Sequence, residues 1–193
     1  MSNNDVFRPL TDDTANSDDR RRLRSIAHIA EWLAVAGIVM GLGYVAYLAL
    51  VPDALAIALR REVPGVVVEP GAPALAAAGL VSLVPALIFI GAMWSARTLF
   101  RLLGRAATVF DPTAPSLLKR LGLLAVAAAF AGVFVRMAVA LLMTSANPPG
   151  QQQLVLSVSS GDVTALVVGL LMLAFALVMQ EGVRLDEDNR SIL

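Results

Sequence analysis

The sequence predicts an all-α membrane protein built as a four-helix transmembrane bundle. Hydrophobic residues make up 58% of the 193 residues. They are concentrated in four long runs. Most of the basic residues lie ahead of the first run, between the second and third runs, and after the fourth. A helix rises about 1.5 Å per residue and a bilayer core is about 30 Å thick, so about 20 apolar residues cross it. The predicted spans cover residues 30–51, 75–94, 121–143 and 163–179.

The basic residues predict the orientation of the spans. The N-terminal segment, the connection between the second and third spans and the C-terminal tail together hold twelve Lys and Arg residues. The other two connections hold only Arg60 and Arg61. Because positively charged segments stay on the cytoplasmic side, we expect both termini in the cytoplasm and a multi-pass protein in the lipid bilayer.

The chain ahead of the first span has the composition of a disordered segment. Residues 1–19 are rich in Asp, Ser, Asn and Thr, and we predict that they form a disordered acidic cytoplasmic tail. Residues 20–193 then form a single four-span transmembrane domain. Four spans use most of this length, so no separate soluble domain is expected.

Two outer segments carry further structure. Pro52 ends the first span, and residues 53–61 are expected to form a short helix at the membrane interface. Residues 65–70 and 153–159 both read as short strands between turn residues. A single strand would leave its backbone N–H and C=O groups unpaired. We therefore predict that the two runs pair as a small two-stranded outer cap.

The second span and the start of the fourth have features that bear on their structure. Pro85 lies within the second span, where it removes one backbone hydrogen bond and is expected to kink the helix, with a gating hinge as the alternative. The helix is expected to continue past Trp94 through Ala106 into the cytoplasm. Asp162 is placed to cap the start of the fourth span.

Arg136 is the most unusual residue of the chain because it is a charge within the third span. A charge in this position costs about 2.5–3.5 kcal/mol on insertion scales, so it usually faces protein or water and has a partner. One interpretation is structural, with Arg136 paired to Asp162, Asp53 or Glu69. The other is an anion-binding or ion-pathway residue.

Glu31 lies at the inner edge of the first span, close to His28. It is either an interfacial carboxylate that reaches the cytoplasm or the partner of His28 in a proton-sensitive pair, because histidine titrates near neutral pH. Arg136 and Glu31 lie at opposite depths, so a continuous charge relay across the bilayer is not expected.

A cytoplasmic contact surface is predicted where the second and fourth spans end. Arg97, Arg101 and Arg105 are four residues apart and share one helix face. They are suited to anionic lipid head groups or to a protein partner. Glu181 and Asp186 follow the fourth span. We expect the two sets of opposite charge to meet, with at least one contact within about 4 Å.

Several classes of chemistry are disfavoured by composition. The chain has no cysteine and one histidine. It has no nucleophile-elbow, zinc-protease or phosphate-loop motif. We therefore expect no enzymatic activity, no catalytic residues, no metal and no cofactor. The formal net charge is zero, so direct nucleic acid binding is not expected.

Short runs in the cytoplasmic segments resemble a family of small bacterial four-span inner-membrane proteins, a domain of unknown function. The runs are LFRLL at 99–103, VFDP at 109–112, LLKRLG at 117–122 and EGVRLDEDNRSI at 181–192. The resemblance covers residues 25–193 and implies the bacterial inner membrane. Some members are encoded beside a small Cro/cI-type helix-turn-helix regulator, which implies membrane signalling or sequestration of a regulator.

The first hypothesis is a non-enzymatic regulatory or sensor-like partner that acts through its cytoplasmic face. The second is an accessory subunit of a larger membrane complex. The third is a small-molecule or ion transporter that works as an oligomer around Arg136. The sequence names no ligand, no partner and no oligomeric state.

Overall fold

A computed structural model describes residues 12–63, 65–105, 113–148, 150 and 156–191. Side chains are described between residues 25 and 185 of these ranges, except at residue 105. The described residues form five helices, and these are α1 (Asp12–Leu50), α2 (Pro52–Glu62), α3 (Ala72–Arg105), α4 (Ala114–Met143) and α5 (Ser160–Ser191). The predicted all-α fold is confirmed.

Four of the five helices are long and apolar enough to cross a membrane. The membrane-compatible parts cover Ser25–Leu50, Ala72–Gly104, Ala114–Met143 and Ser160–Leu185. Each of the last three contains its predicted span, and the first contains all of its predicted span except the last residue, Val51. Their large apolar side chains are widely exposed, as expected of helices whose solvent is lipid. The chain is a multi-pass membrane protein.

The four long helices pack in chain order. Helix α1 packs on α3, α3 on α4 and α4 on α5, and α2 rests on α1, α3 and α4. Among the described residues, α1 is packed against neither α4 nor α5, and α3 is not packed against α5. Successive long helices are antiparallel, so the start of α1 and the end of α5 lie at one end of the protein. We call this end the terminal side, and the end that carries α2 the opposite side.

Helix α1 begins earlier than the sequence suggested. Residues 12–19, which we predict to belong to a disordered tail, are helical. No proline or glycine separates them from the span, so the helix runs on without a break. Residues 1–11 of the predicted tail lie outside the described residues.

Helix α2 confirms the short helix predicted over residues 53–61, and its position at the membrane interface stays a prediction. Pro52 occupies its first turn, where a missing N–H costs nothing, and Arg60 and Arg61 lie in its last turn. Leu59 and Val63 are buried against the opposite-side ends of α3 and α4, and these meet in an apolar core with Ala78, Val139, Ala140 and Met143. The helix is therefore packed onto the bundle.

The predicted outer cap is only partly within the described residues. Residues 65–70 are irregular and not in a strand, and so are residues 156–159. Residues 151–155 of the second run lie outside the described part of the chain. The backbone of the first run bonds to a side chain, Asn147, as described below. The pairing of the two runs stays a prediction.

Candidate functional site

Arg136 and Asp162 form an ion pair between α4 and α5. Arg136 lies about two turns before the end of α4 and Asp162 in the first turn of α5. The Nη2 group of Arg136 donates to Asp162 Oδ2, and also to the carbonyl oxygen of Ser157 at 3.1 Å. The exposed fractions of the two side chains are 29% and 12%. The charge within the third span thus has a carboxylate partner, one of the three that we predicted.

Asp162 also completes the start of α5. Its Oδ2 accepts hydrogen bonds from the backbone N–H of Ser159 at 2.7 Å and from the Ser159 hydroxyl at 2.9 Å. Ser159 Oγ in turn accepts from the backbone N–H of Asp162 at 3.2 Å. This is the reciprocal arrangement of a capping box. We predicted Asp162 as the N-cap of this helix. In the structure Ser159 is the N-cap, and Asp162, the third residue of the helix, accepts a hydrogen bond from the backbone N–H of Ser159.

Gly132 makes the close approach of this pair possible. A Cβ atom at this position would lie 2.6 Å from Asp162 Oδ1 and 3.3 Å from Arg136 Nη1. Any other residue would push the carboxylate out of its place. Glycine at this position therefore allows the ion pair its observed geometry.

The other two predicted partners of Arg136 do not bind it. Glu69 pairs with Arg60 instead, Oε1 to Nη2 at 2.6 Å, and both side chains are largely exposed. Asp53 lies in the first turn of α2 and forms no ion pair among the described residues.

A cavity of about 960 Å³ lies beside Arg136. Its walls come from α1, α3 and α4, and α2 lies over it. The lining is mostly apolar; the charged side chains in it are Arg136 and Glu62, and Pro85 and Phe89 lie deeper on α3. Only the Nη2 group of Arg136 has hydrogen-bond partners among the described residues. The guanidinium therefore has further donors to offer.

Glu31 pairs with Arg97 near the terminal side. Arg97 Nε lies 3.8 Å from Glu31 Oε1, and its Cζ lies 5.8 Å from the centre of the Trp94 ring. The proton-sensitive pair of His28 and Glu31 is not formed. His28 Nε2 accepts a hydrogen bond from Trp32 Nε1 at 3.2 Å, and the two rings meet edge to face.

The predicted contact between the ends of α3 and α5 is not found among the described residues. Arg97 pairs with Glu31 on α1, whereas Arg101 and Glu181 are exposed and form no ion pair with any described residue. The reason is the order of the helices, since α4 lies between α3 and α5. The side chains of Arg105 and Asp186 lie outside the described residues.

Asn147 is a structural residue that sequence reasoning missed. Its side chain is buried, and Oδ1 accepts the backbone N–H groups of Val67 and Val68, each at 3.1 Å. Nδ2 donates to the carbonyl oxygen of Gly65 at 2.9 Å. The residue ties the loop after α2 to the end of α4. The run Asn-Pro-Pro-Gly indicated only a turn, and nothing local signals a partner some 80 positions away.

Comparison with known proteins identifies a family. No curated protein and no solved structure matches the chain. Residues 60–192 match the family described as "Protein of unknown function (DUF2975)". The match covers most of the chain, from the end of α2 through α5, and includes Arg136, Asp162 and Asn147. The protein is therefore an integral membrane protein that belongs to the DUF2975 family of unknown function.

Proposed function

We propose that this protein is a non-enzymatic regulatory partner that docks another protein on its terminal side, which we predict to face the cytoplasm. The observation that carries the proposal is the exposure of Arg101 at the end of α3. No carboxylate among the described residues neutralises it. An exposed, uncompensated cation at a membrane surface attracts acidic surfaces and raises their association rate.

The surroundings of Arg101 support a contact with some specificity. Arg101 lines a second cavity of about 480 Å³ together with Thr98, Thr113, Ser116 and two leucines. The guanidinium of Arg101 suits a carboxylate of a partner, whereas the hydroxyls of Thr98 and Ser116 already donate to the carbonyl oxygens of Trp94 and Thr113 and can only accept hydrogen bonds from a partner. Lys119 and Arg120 lie exposed on the first turns of α4 and add positive charge on the same side.

The partner we propose is a small DNA-binding regulator of the helix-turn-helix type, as the resemblance implies. Recruitment by a membrane protein would remove such a regulator from DNA. This role requires no catalytic group and no cofactor in the membrane protein. It requires only a docking surface, which the end of a long helix can supply.

Site-specific cross-linking in cells tests the proposal. A photo-reactive residue at position 98 would be compared in the wild-type background, in Arg101→Ala and in Arg184→Ala. Arg184 is an exposed arginine on α5, on the same side of the membrane. We expect a cross-linked regulator in the wild type and in Arg184→Ala, and a several-fold loss in Arg101→Ala.

Three other outcomes would contradict it. Equal cross-linking in both variants would show that Arg101 is not part of a docking surface. A cross-link to subunits of a large stable membrane complex would favour the accessory role. A cross-link to lipid alone would indicate that the basic residues serve only to orient the spans in the membrane.

A further inference from the structure

The cavity beside Arg136 is open to the membrane on one side. Helices α1, α3 and α4 form its walls, with α3 between the other two. Among the described residues, α1 and α4 are not packed against each other, and no helix closes the side opposite α3. Helix α2 covers the cavity at its polar end through Leu55, Ala58 and Leu59. A molecule would therefore enter from the lipid phase.

The cavity is amphipathic along the direction of the spans. Its deeper part is lined by Gly37, Met40, Pro85 and Phe89, which offer only apolar surface. Its charged side chains lie toward the opposite side. Arg136 is near the end of α4, and Glu62 is the last residue of α2. The volume of about 960 Å³ lies at the upper end of the range of about 300–1,000 Å³ that is usual for small-molecule sites. Its shape and chemistry are those of a site for one amphiphile.

The charges indicate which head group is suited to the site. Arg136 has donors without a partner among the described residues, and such donors bind phosphate oxygens well. Asp162 already balances the charge of Arg136, and Glu62 adds an exposed carboxylate. Arg136, Asp162 and Glu62 together carry one net negative charge, and an anionic head group would add a second. A head group that carries both a phosphate and a primary ammonium provides a partner for each side chain.

We propose that this cavity binds one phospholipid with a phosphate and a primary ammonium in its head group, taken from the surrounding leaflet. The phosphate binds Arg136, the ammonium binds Glu62, and an acyl chain lies between α1 and α3 beneath Pro85. The site is independent of the docking surface proposed at the terminal side, since it lies at the other end of the helices.

Native mass spectrometry and thermal unfolding in detergent test the proposal with three defined lipids. These are phosphatidylethanolamine, phosphatidylcholine and phosphatidylglycerol with identical acyl chains. We expect one phosphatidylethanolamine to remain bound per protein and to raise the Tm. Phosphatidylcholine has no ammonium hydrogens to donate to Glu62, and phosphatidylglycerol brings an unbalanced charge. Both are expected to bind about tenfold more weakly.

Matched variants locate the site. Ala86→Phe fills the cavity, whereas Ala46→Phe makes the same change at an exposed position of α1 that does not line it. We expect the first to abolish the bound lipid and the second to retain it. Glu62→Gln preserves size and is expected to remove the preference for phosphatidylethanolamine. An unchanged Tm of the lipid-free variant would show that the ion pair of Arg136 and Asp162 is intact.

Two results would overturn the proposal. Equal retention of lipid by Ala86→Phe and Ala46→Phe would show that the lipid binds elsewhere on the surface. Tighter binding of phosphatidylglycerol, or an unchanged preference in Glu62→Gln, would show that the head group is not recognised by this pair of charges.

Discussion

Gly122 on α4 and Gly169 on α5 bring the backbones of these two helices into direct contact. A Cβ atom on Gly122 would lie 2.9 Å from the carbonyl oxygen of Gly169, and a Cβ on Gly169 would lie 2.9 Å from that of Gly122. Small residues are favoured between membrane helices because association there depends on close packing, lipid being as apolar as the side chains. This contact fixes the distance between α4 and α5, and so the distance across which Arg136 meets Asp162.

Replacement of Gly169 by leucine should therefore separate the two helices. The obstacle is backbone, with Val126 N at 2.9 Å, and it cannot rotate away. We expect a loss of about 1–3 kcal/mol in the free energy of unfolding, as for other overpacked sites. Gly43→Leu is the matched control because nothing lies within 4 Å of a Cβ there. Thermal unfolding followed by circular dichroism in detergent compares the two; equal Tm values would show that the close approach is not needed.

Removal of the guanidinium of Arg136 should destabilise the protein more than removal of both charges of its ion pair. Arg136→Leu leaves the carboxylate of Asp162 without its cation in a largely buried position. We expect a loss of about 3 kcal/mol, in the range for broken buried pairs. In Arg136→Leu/Asp162→Asn no charge is stranded, and the asparagine oxygen can still accept from Ser159. Part of the loss should be recovered.

The exposed pair of Arg60 and Glu69 supplies the control for this experiment. Arg60→Leu breaks an ion pair of 2.6 Å at the surface, and exposed pairs contribute only about 0–1 kcal/mol. The free energies of unfolding can be obtained from denaturant titrations of all three variants. A double variant that is less stable than Arg136→Leu would contradict the interpretation, because it would mean that the uncompensated carboxylate causes no penalty.

The spans and the partner of Arg136 followed from the sequence for one physical reason. Water-free lipid penalises every exposed charge and every unsatisfied backbone group, so a run of apolar residues must be helical and an isolated Arg136 must find a partner. Asp162 was among the few carboxylates near the same depth. The role of Gly132 did not follow, since a glycine in a span has many explanations until the facing atom is known.

Two failures, the predicted contact between α3 and α5 and the missed role of Asn147, share a different cause: the sequence does not specify which helices are neighbours. Alternating direction places the ends of α3 and α5 on the same side, and opposite charges there suggested contact. In the structure α4 separates them, and Arg97 meets Glu31 on α1. Asn147 was missed for the same reason, because its partners Val67 and Val68 are remote in the chain.

The orientation of the termini can be measured directly because the chain contains no cysteine. Ser191 lies at the end of α5 and Arg61 is exposed on α2, at the other end of the helices. We expect a membrane-impermeant maleimide to label Arg61→Cys in intact cells and Ser191→Cys only after permeabilisation. Labelling of Ser191→Cys in intact cells would place the termini outside and reverse the assignment of both proposed surfaces.

Asn147 should control the order of the loop that follows α2. Asn147→Ala removes one acceptor shared by two backbone N–H groups and one donor to Gly65, all near the buried core of the opposite side. Val67 and Val68 are exposed, so water can replace the lost acceptor, and each lost hydrogen bond is expected to cost about 0.5–1.5 kcal/mol. We therefore expect a clear loss of stability and much faster hydrogen exchange of the Val67 and Val68 amides.

Asn147→Asp separates the two parts of this interaction. The carboxylate keeps the acceptor for Val67 and Val68 but loses the Nδ2 donor to Gly65. Exchange at the two valine amides should then remain slow, while stability falls by less than in Asn147→Ala. Hydrogen exchange followed by mass spectrometry of peptides spanning residues 63–71 gives the readout. If the amides exchange equally fast in both variants, the acceptor is not what holds this loop on α4, and the packing of Leu59 and Val63 must hold it instead.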